Sequence, residues 1–132
     1  MKKIFVLAVT ALSFAACQQS LEEKAAEEAR LYTEKNCPAK IAENLISDSL
    51  TFEADSHTLH YYYTIIGASD TVGVMNLEEA RQQLLEALKN TTSMKAYKDE
   101  GYLFAYTYHS QKHPGTVIFE TVFSKQDYAT EQ

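Results

Sequence analysis

The sequence predicts an α+β domain in which a helix and a β-hairpin alternate twice, giving a four-stranded antiparallel sheet with helices on one face. Two capping signals precede apolar stretches with helical spacing. Two pairs of strand-like segments flank polar turns, and the first pair alternates apolar and polar residues with a period of two. No linker or low-complexity tract divides the chain, so we expect a single domain.

The first helix is predicted to begin after Ser20, because Ser20-Leu-Glu-Glu23 has the spacing of a capping box. Its alanine-rich sequence favours helix as far as about Lys35, and Cys37 before Pro38 ends it. The apolar stripe is thin, so we expect this helix to pack along one narrow edge and to act partly as a spacer.

The first hairpin is predicted from residues 50–53 and 59–65, which alternate around the turn Asp55-Ser56-His57. The second hairpin begins with an aromatic strand from Tyr102 and turns at His113-Pro114-Gly115 into the apolar segment TVIFETVF. Residues after Ser124 are predicted to form a loose tail.

A second helix is predicted between the hairpins, beginning after Asn76 and covering LEEARQQLLEALKN. A short helical piece is predicted over residues 93–100, ended by Gly101. The apolar stripe of the second helix, which we expect to face the sheet, consists of Leu77, Ala80, Leu84, Ala87 and Leu88.

The N-terminus predicts export from the cytoplasm. Lys2 and Lys3 precede an uncharged run over residues 4–16, which has the length of a signal-peptide core. A membrane-spanning helix would need about 20 apolar residues. Residues 1–16 are therefore predicted to be a signal peptide.

The stretch from Phe14 to Cys17 resembles the lipobox of bacterial lipoproteins. The resemblance implies thioether lipidation of Cys17, acylation of the new N-terminus and, because Gln18 follows, sorting to the outer membrane. Residues 17–35 would then comprise the lipidated cysteine and a helical spacer, and residues 36–132 a single α+β domain. More than one acyl chain is needed for stable anchoring, and such an anchor requires no spanning segment.

Charge and cysteine count exclude some classes of partner and of covalent link. The formal charge of the chain is −6, and removal of Lys2 and Lys3 makes the mature protein more acidic still. We therefore expect no nucleic-acid partner and no attachment to anionic lipid by charge. With Cys17 lipidated, Cys37 has no partner within the chain, so it is either a small buried residue or an exposed thiol.

Several short motifs between residues 36 and 123 resemble a family of small, uncharacterised lipoproteins of Gram-negative bacteria. They are CP-x-x-I at Cys37, Asp48-Ser49-Leu50, and Tyr61-Tyr62-Tyr63-Thr64. The resemblance implies the α+β fold and a cell-envelope location, with the protein facing the periplasm or the cell surface. It implies no catalytic residue.

Four histidines form the first candidate site. If the inner strands pair antiparallel, both hairpin turns lie at one end of the sheet and the imidazoles converge there. Such a cluster suits zinc, copper or nickel, or forms a pH-responsive patch. The alternative is that the side chains are solvated or singly hydrogen-bonded. The four residues are His57, His60, His109 and His113.

The second candidate site is the sheet face that the helices leave uncovered. Tyr62 and His60 are predicted to point to this face from the first hairpin, and Leu103 and Ile118 from the second. An uncovered face this rich in apolar side chains favours a protein partner or self-association. The alternative is that the N-terminal helix covers the face within the monomer.

The chain contains no nucleotide-binding or nucleophile-elbow motif, so we predict neither an enzyme nor a cofactor. The predicted function is that of an envelope lipoprotein that binds or scaffolds another envelope protein. The alternative is a periplasmic binder of a metal or small ligand at the histidine-bearing hairpin ends.

Overall fold

A computed structural model describes residues 19–71 and 73–129 of the chain. In these residues the helices are α1 (Leu21–Asn36), α2 (Leu77–Asn90), α3 (Lys95–Asp99) and α4 (Lys125–Tyr128). The strands are β1 (Ala39–Ala42), β2 (Leu45–Glu53), β3 (Thr58–Ile65), β4 (Leu103–Ser110) and β5 (Val117–Phe123). None of the helices in this part of the chain is both long enough and apolar enough to span a bilayer.

The predicted start of α1 is confirmed at its N-cap. Ser20 Oγ accepts the Glu23 amide at 3.1 Å, and the Ser20 amide donates to Glu23 Oε1 at 3.0 Å. The side chain of Thr33 then joins α1 to β2, because its Oγ1 donates to the Leu50 carbonyl and accepts the Leu50 amide. The spacer is therefore also a packed element of the domain.

The sheet has five strands in the order β1-β2-β3-β4-β5, and it is mixed. Strands β3 and β4 pair parallel, from Thr58 opposite Leu103 to Ile65 opposite Ser110, while the other neighbours pair antiparallel. The α+β class is confirmed, but the prediction of four antiparallel strands is wrong. Two helices lie in the connection between β3 and β4, which is long enough to return the chain to the end where β3 began.

One face of the sheet carries the core and all four helices of the described chain. Each helix contributes at least one side chain to a single buried cluster with alternate residues of the strands. Phe104 and Phe123 at the centre of this cluster are fully buried. The placement of helices on one face is confirmed, and α1 does not cover the other face. The cluster consists of Ala25, Ala29, Leu50, Leu59, Leu88, Tyr97, Tyr102, Phe104, Tyr106, Phe123 and Tyr128.

Two local predictions differ from the structure. The predicted loose tail contains α4, whose Tyr128 is buried and donates its hydroxyl to the Tyr102 carbonyl at 2.8 Å. On α2, Leu88 near the C-terminal end is buried, but Leu77 at the first position is 52% exposed. Apolar periodicity therefore located both helix faces but overestimated how much of α2 is covered.

Candidate interaction surface

The sheet face opposite the helices, here called the open face, is not covered by any element of the described chain. It combines apolar and polar side chains from four strands. Val122 on β5 is 48% exposed. By strand alternation and register the open face includes Ile46, Ser49, Thr51, Glu53, Thr58, His60, Tyr62, Thr64, Leu103, Ala105, Thr107, His109, Ile118, Glu120 and Val122.

A chain of hydrogen bonds crosses the middle of the open face. His60 Nδ1 lies 2.9 Å from Glu53 Oε2, and His60 Nε2 lies 2.7 Å from Thr107 Oγ1. Thr107 Oγ1 in turn donates to Glu120 Oε2 at 2.6 Å. Strands β2, β3, β4 and β5 each contribute one residue, so this polar network, Glu53–His60–Thr107–Glu120, exists only because the strands pair in this order.

Thr107, His60 and Glu53 have the arrangement of a nucleophile, a base and a carboxylate that orients the base. Two observations argue against Thr107 as a nucleophile. Its hydroxyl proton is committed to the carboxylate of Glu120, and the residue is only 2% exposed. A substrate therefore has no approach to Thr107 Oγ1 in this conformation.

Tyr62 forms the aromatic part of the open face. Its ring stacks on His60 with centroids 4.1 Å apart, and the ring of His109 lies 6.4 Å away on the neighbouring strand. The Tyr62 hydroxyl lies 3.2 Å from His60 Nδ1. Burial, followed by the charge of Glu53, raises the pKa of Tyr62, so this phenol stays protonated at neutral pH.

The four residues predicted for partner binding lie together on the open face. Tyr62 and His60 lie on β3, Leu103 begins β4, and Ile118 follows the alternation of β5. Sequence reasoning did not find the polar network, because its members are far apart in the chain. The available signal was Glu120, a carboxylate within an otherwise apolar strand.

The four histidines do not converge, so that prediction is wrong. Because β3 and β4 are parallel, His57 lies before the start of β3, whereas His109 and His113 lie near the end of β4. His57 instead contacts Glu22 of α1 at 2.5 Å and stacks on Tyr102 with centroids 4.9 Å apart. Across residues 19–71 and 73–129, no three His, Cys, Asp or Glu side chains are placed to hold a metal ion.

The two cysteines differ in what the structure shows of them. Cys17, the predicted lipidation site, lies outside the described residues. Cys37 is a half-buried free thiol at the C-cap of α1, with its Sγ 3.6 Å from Ser47 Oγ. Cys37 is neither fully buried nor fully exposed, so its position lies between the two predicted alternatives, a buried residue and an exposed thiol.

The helix side of the sheet holds most of the remaining tyrosines. Tyr61 stacks on Tyr106 and Tyr63 on Tyr108, with centroids 5.1 and 4.8 Å apart. Burial raises the pKa of Tyr61 and of Tyr108 to about 12. Beside this array, a cavity of about 240 Å³ is lined by Met75, Ala80, Gln83, Leu84, Tyr108 and Phe119. These rings serve mainly as core, as their alternation with polar residues predicts.

Comparison with known proteins gives a family and a fold. The sequence profile of a family described as a domain of unknown function (DUF8479) matches residues 20–119. No curated protein matches the chain in sequence.

Three solved structures share the fold at low sequence identity. A candidate secreted protein from Pseudomonas aeruginosa has a TM-score of 0.66 at 15% identity, covering 84% of this chain and 99% of its own. EpsS, a type 2 secretion system pilotin from Vibrio vulnificus, has a TM-score of 0.66 at 12% identity, covering 84% and 94%. AspS, a type II secretion system pilotin from Vibrio cholerae, has a TM-score of 0.61 at 16% identity, covering 87% and 98%.

Proposed function

The chain belongs to the DUF8479 family, a domain of unknown function, and we propose that it is an outer-membrane lipoprotein that binds another envelope protein through its open face. The anchor would be Cys17, lipidated after removal of residues 1–16. The protein needs no cofactor for this role, and it acts by binding rather than by catalysis.

The observation that carries the proposal is the combination of features on the open face. The face combines exposed apolar surface, such as Val122, with an aromatic ring, Tyr62, and a polar network that is already assembled. Tyrosine offers a large contact area with few rotatable bonds, and protein interfaces are enriched in it. A preassembled network also lowers the conformational entropy lost on binding.

The fold supports the same role by analogy. Two of the solved structures that share it are pilotins of type II secretion systems, and a third is a candidate secreted protein. At these identities the analogy extends only to the architecture, and the proposed binding surface rests on the side chains of the open face. Self-association through the open face is the alternative, and it predicts crosslinks between two copies of the chain.

The test is site-specific photo-crosslinking in cells that produce the full chain. A photoreactive residue replaces Val122 on the open face or, as the control, Gln82 on the exposed side of α2. We expect a discrete envelope-protein adduct from position 122 only, and we expect Tyr62→Ala to abolish it. In the same cells, Cys17→Ser should shift the chain from the outer-membrane fraction to a soluble fraction.

Equal adducts from both positions, or an adduct that survives Tyr62→Ala unchanged, would contradict binding through the open face. An unchanged distribution of the Cys17→Ser variant would contradict the lipid anchor independently of the first result.

A further inference from the structure

The two edges of the sheet differ in how they are protected against pairing with another chain. At one edge, the short strand β1 pairs only with residues 45–47 of β2. Beyond β1, the backbone of Leu50 is engaged by α1, because Thr33 Oγ1 accepts its N–H at 2.9 Å and donates to its C=O at 2.8 Å. A short edge strand and a neighbouring element that occupies the backbone are ordinary protections of a sheet edge.

The other edge is β5, and the hydrogen bonds of β4 determine which of its backbone groups point outward. The Leu103 N–H donates to the His57 carbonyl on the β3 side, and the Ser110 N–H donates to the Thr116 carbonyl on the β5 side. Successive residues of a strand bond to opposite neighbours. The odd-numbered residues of β4 therefore bond to β3, and the even-numbered residues bond to β5.

Two residues of β5 consequently present free backbone groups at the edge. Val122 and Glu120 lie opposite Ala105 and Thr107, which are odd-numbered residues of β4. The N–H and C=O of Val122 and Glu120 therefore point away from the sheet. Within residues 19–71 and 73–129, no hydrogen bond reaches these four groups. The two residues are about 7 Å apart along the strand, which is the repeat of an antiparallel partner.

Little on β5 would keep another strand away. The strand has seven residues without proline, and its one charged side chain is Glu120. A charge on an edge strand ordinarily disfavours pairing with another chain. Here the Glu120 carboxylate accepts the Thr107 hydroxyl at 2.6 Å, so it lies over β4 rather than beyond the edge. The bulge in the pairing of β4 with β5 lies before Phe119, outside this part of the edge.

We infer that the partner binds as an extended segment that pairs with Glu120 and Val122 and adds a strand beside β5. The inference rests on the proposed function and names how the partner is held. The side chains of Glu120 and Val122 lie on the open face, so the partner residues opposite them extend that face. Cross-strand complementarity defines the segment: its residue opposite Glu120 carries no negative charge, and its residue opposite Val122 is apolar.

A second copy of β5 fits this edge less well than a segment of a different protein. Antiparallel pairing centred on Glu120 would place two carboxylates directly opposite each other, which is destabilising. A register shifted by two residues avoids that contact. It still brings together two chains that each have a formal charge of −6.

The test uses the photoreactive residue at position 122 in cells that produce the full chain. Glu120→Pro removes the outward N–H, and Glu120→Ala is the matched control because it loses the same side chain but keeps the N–H. Proline is compatible with an edge strand where the missing N–H faces solvent. We expect the yield of the partner adduct to be about fivefold lower with proline than with alanine, because one backbone hydrogen bond is lost.

A second measurement does not depend on the folding of the proline variant. Hydrogen–deuterium exchange with residue resolution compares the free full chain in detergent with the isolated adduct of the chain that has Glu120 intact. We expect the Glu120 amide to exchange at least about tenfold more slowly in the adduct, because strand pairing engages its N–H. The Thr121 amide bonds to β4, so it is the internal control and should be protected in both samples.

The outcomes separate this inference from the proposed function. Equal adduct yields from the two variants, both folded by far-ultraviolet circular dichroism, would overturn strand pairing and leave binding through the open face intact. So would a Glu120 amide that exchanges equally fast in the adduct and the free chain. An adduct of two copies of the chain would overturn the inference in favour of self-association. If position 122 gives no adduct at all, the proposed function fails and this inference fails with it.

Discussion

Loss of the Phe104 side chain should destabilise the domain strongly. The residue is fully buried in the core, and its ring packs edge-on against Tyr128 with centroids 5.6 Å apart. Phe104→Ala removes this contact and leaves a cavity, so we expect the free energy of unfolding to fall by about 3–5 kcal/mol.

Chemical denaturation of the full chain measures this change. Val122→Ala is the control, because Val122 lies on the neighbouring strand but half exposed, and it should change stability by no more than about 0.5 kcal/mol. Equal losses in the two variants would mean that Phe104 is not part of a close-packed core.

At the scale of single residues, the sequence predicts which face a side chain occupies better than it predicts what the side chain contacts. Alternation placed Tyr62 and Leu103 on the open face correctly, since side-chain direction has a strict period of two. The hydrogen bond between His60 and Thr107 could not be predicted from the sequence, because it depends on the pairing of β3 with β4, which no local pattern encodes.

The N-cap of α1 should contribute measurably to the stability of that helix. Ser20→Ala removes the acceptor of the Glu23 amide, so we expect a loss of about 1 kcal/mol. The Ser20 backbone amide, followed by the Ser20 hydroxyl, lowers the pKa of Glu23. The variant keeps the amide, so the pKa of that carboxyl should rise only part of the way toward its usual value.

Thermal unfolding measures the stability loss, and carboxyl chemical shifts measured as a function of pH report the change in pKa. Ser93→Ala, at an exposed serine outside the helices, is the matched control and should have little effect. A Ser20→Ala variant as stable as this control would mean that α1 is held by packing alone.

At the scale of elements, the sequence predicts where most helices and strands lie but not how the strands are arranged in the sheet. Capping boxes and alternation located α1, α2, β3 and β4, because these signals arise within a few residues. Parallel pairing of β3 with β4 arises from the long connection between them, and β1 is too short to show alternation. The helix α4 was missed because its one core residue, Tyr128, has no periodic neighbour.

For the whole molecule, we expect a cooperative loss of stability in alkali. The pKa is raised above the ordinary tyrosine value, with burial as the largest cause, for Tyr61, Tyr62, Tyr63, Tyr97, Tyr102, Tyr106, Tyr108 and Tyr128. Above about pH 10 the unfolded chain therefore holds fewer phenolic protons than the folded chain, and the free energy of unfolding falls as pH rises.

Absorbance of tyrosinate, recorded together with far-ultraviolet circular dichroism, checks this expectation. Most phenols should ionise only above pH 10, as the pH approaches about 12, in step with loss of the helical signal. The same chain in denaturant, where the tyrosines should titrate together near their ordinary value, is the reference. Normal titration of every tyrosine in a chain that stays helical would contradict the buried aromatic array.

The direction of α1 has a consequence for how neighbours would meet this protein. The helix begins at the end of the sheet where β2 turns into β3, and its cap, Ser20, lies three residues after Cys17. A tether at position 17 would hold that end of the sheet within about 10 Å of the bilayer, with the opposite end of β3 free to lie farther from it. The open face would then lie close to the membrane surface, where proteins that diffuse in the same leaflet could reach it.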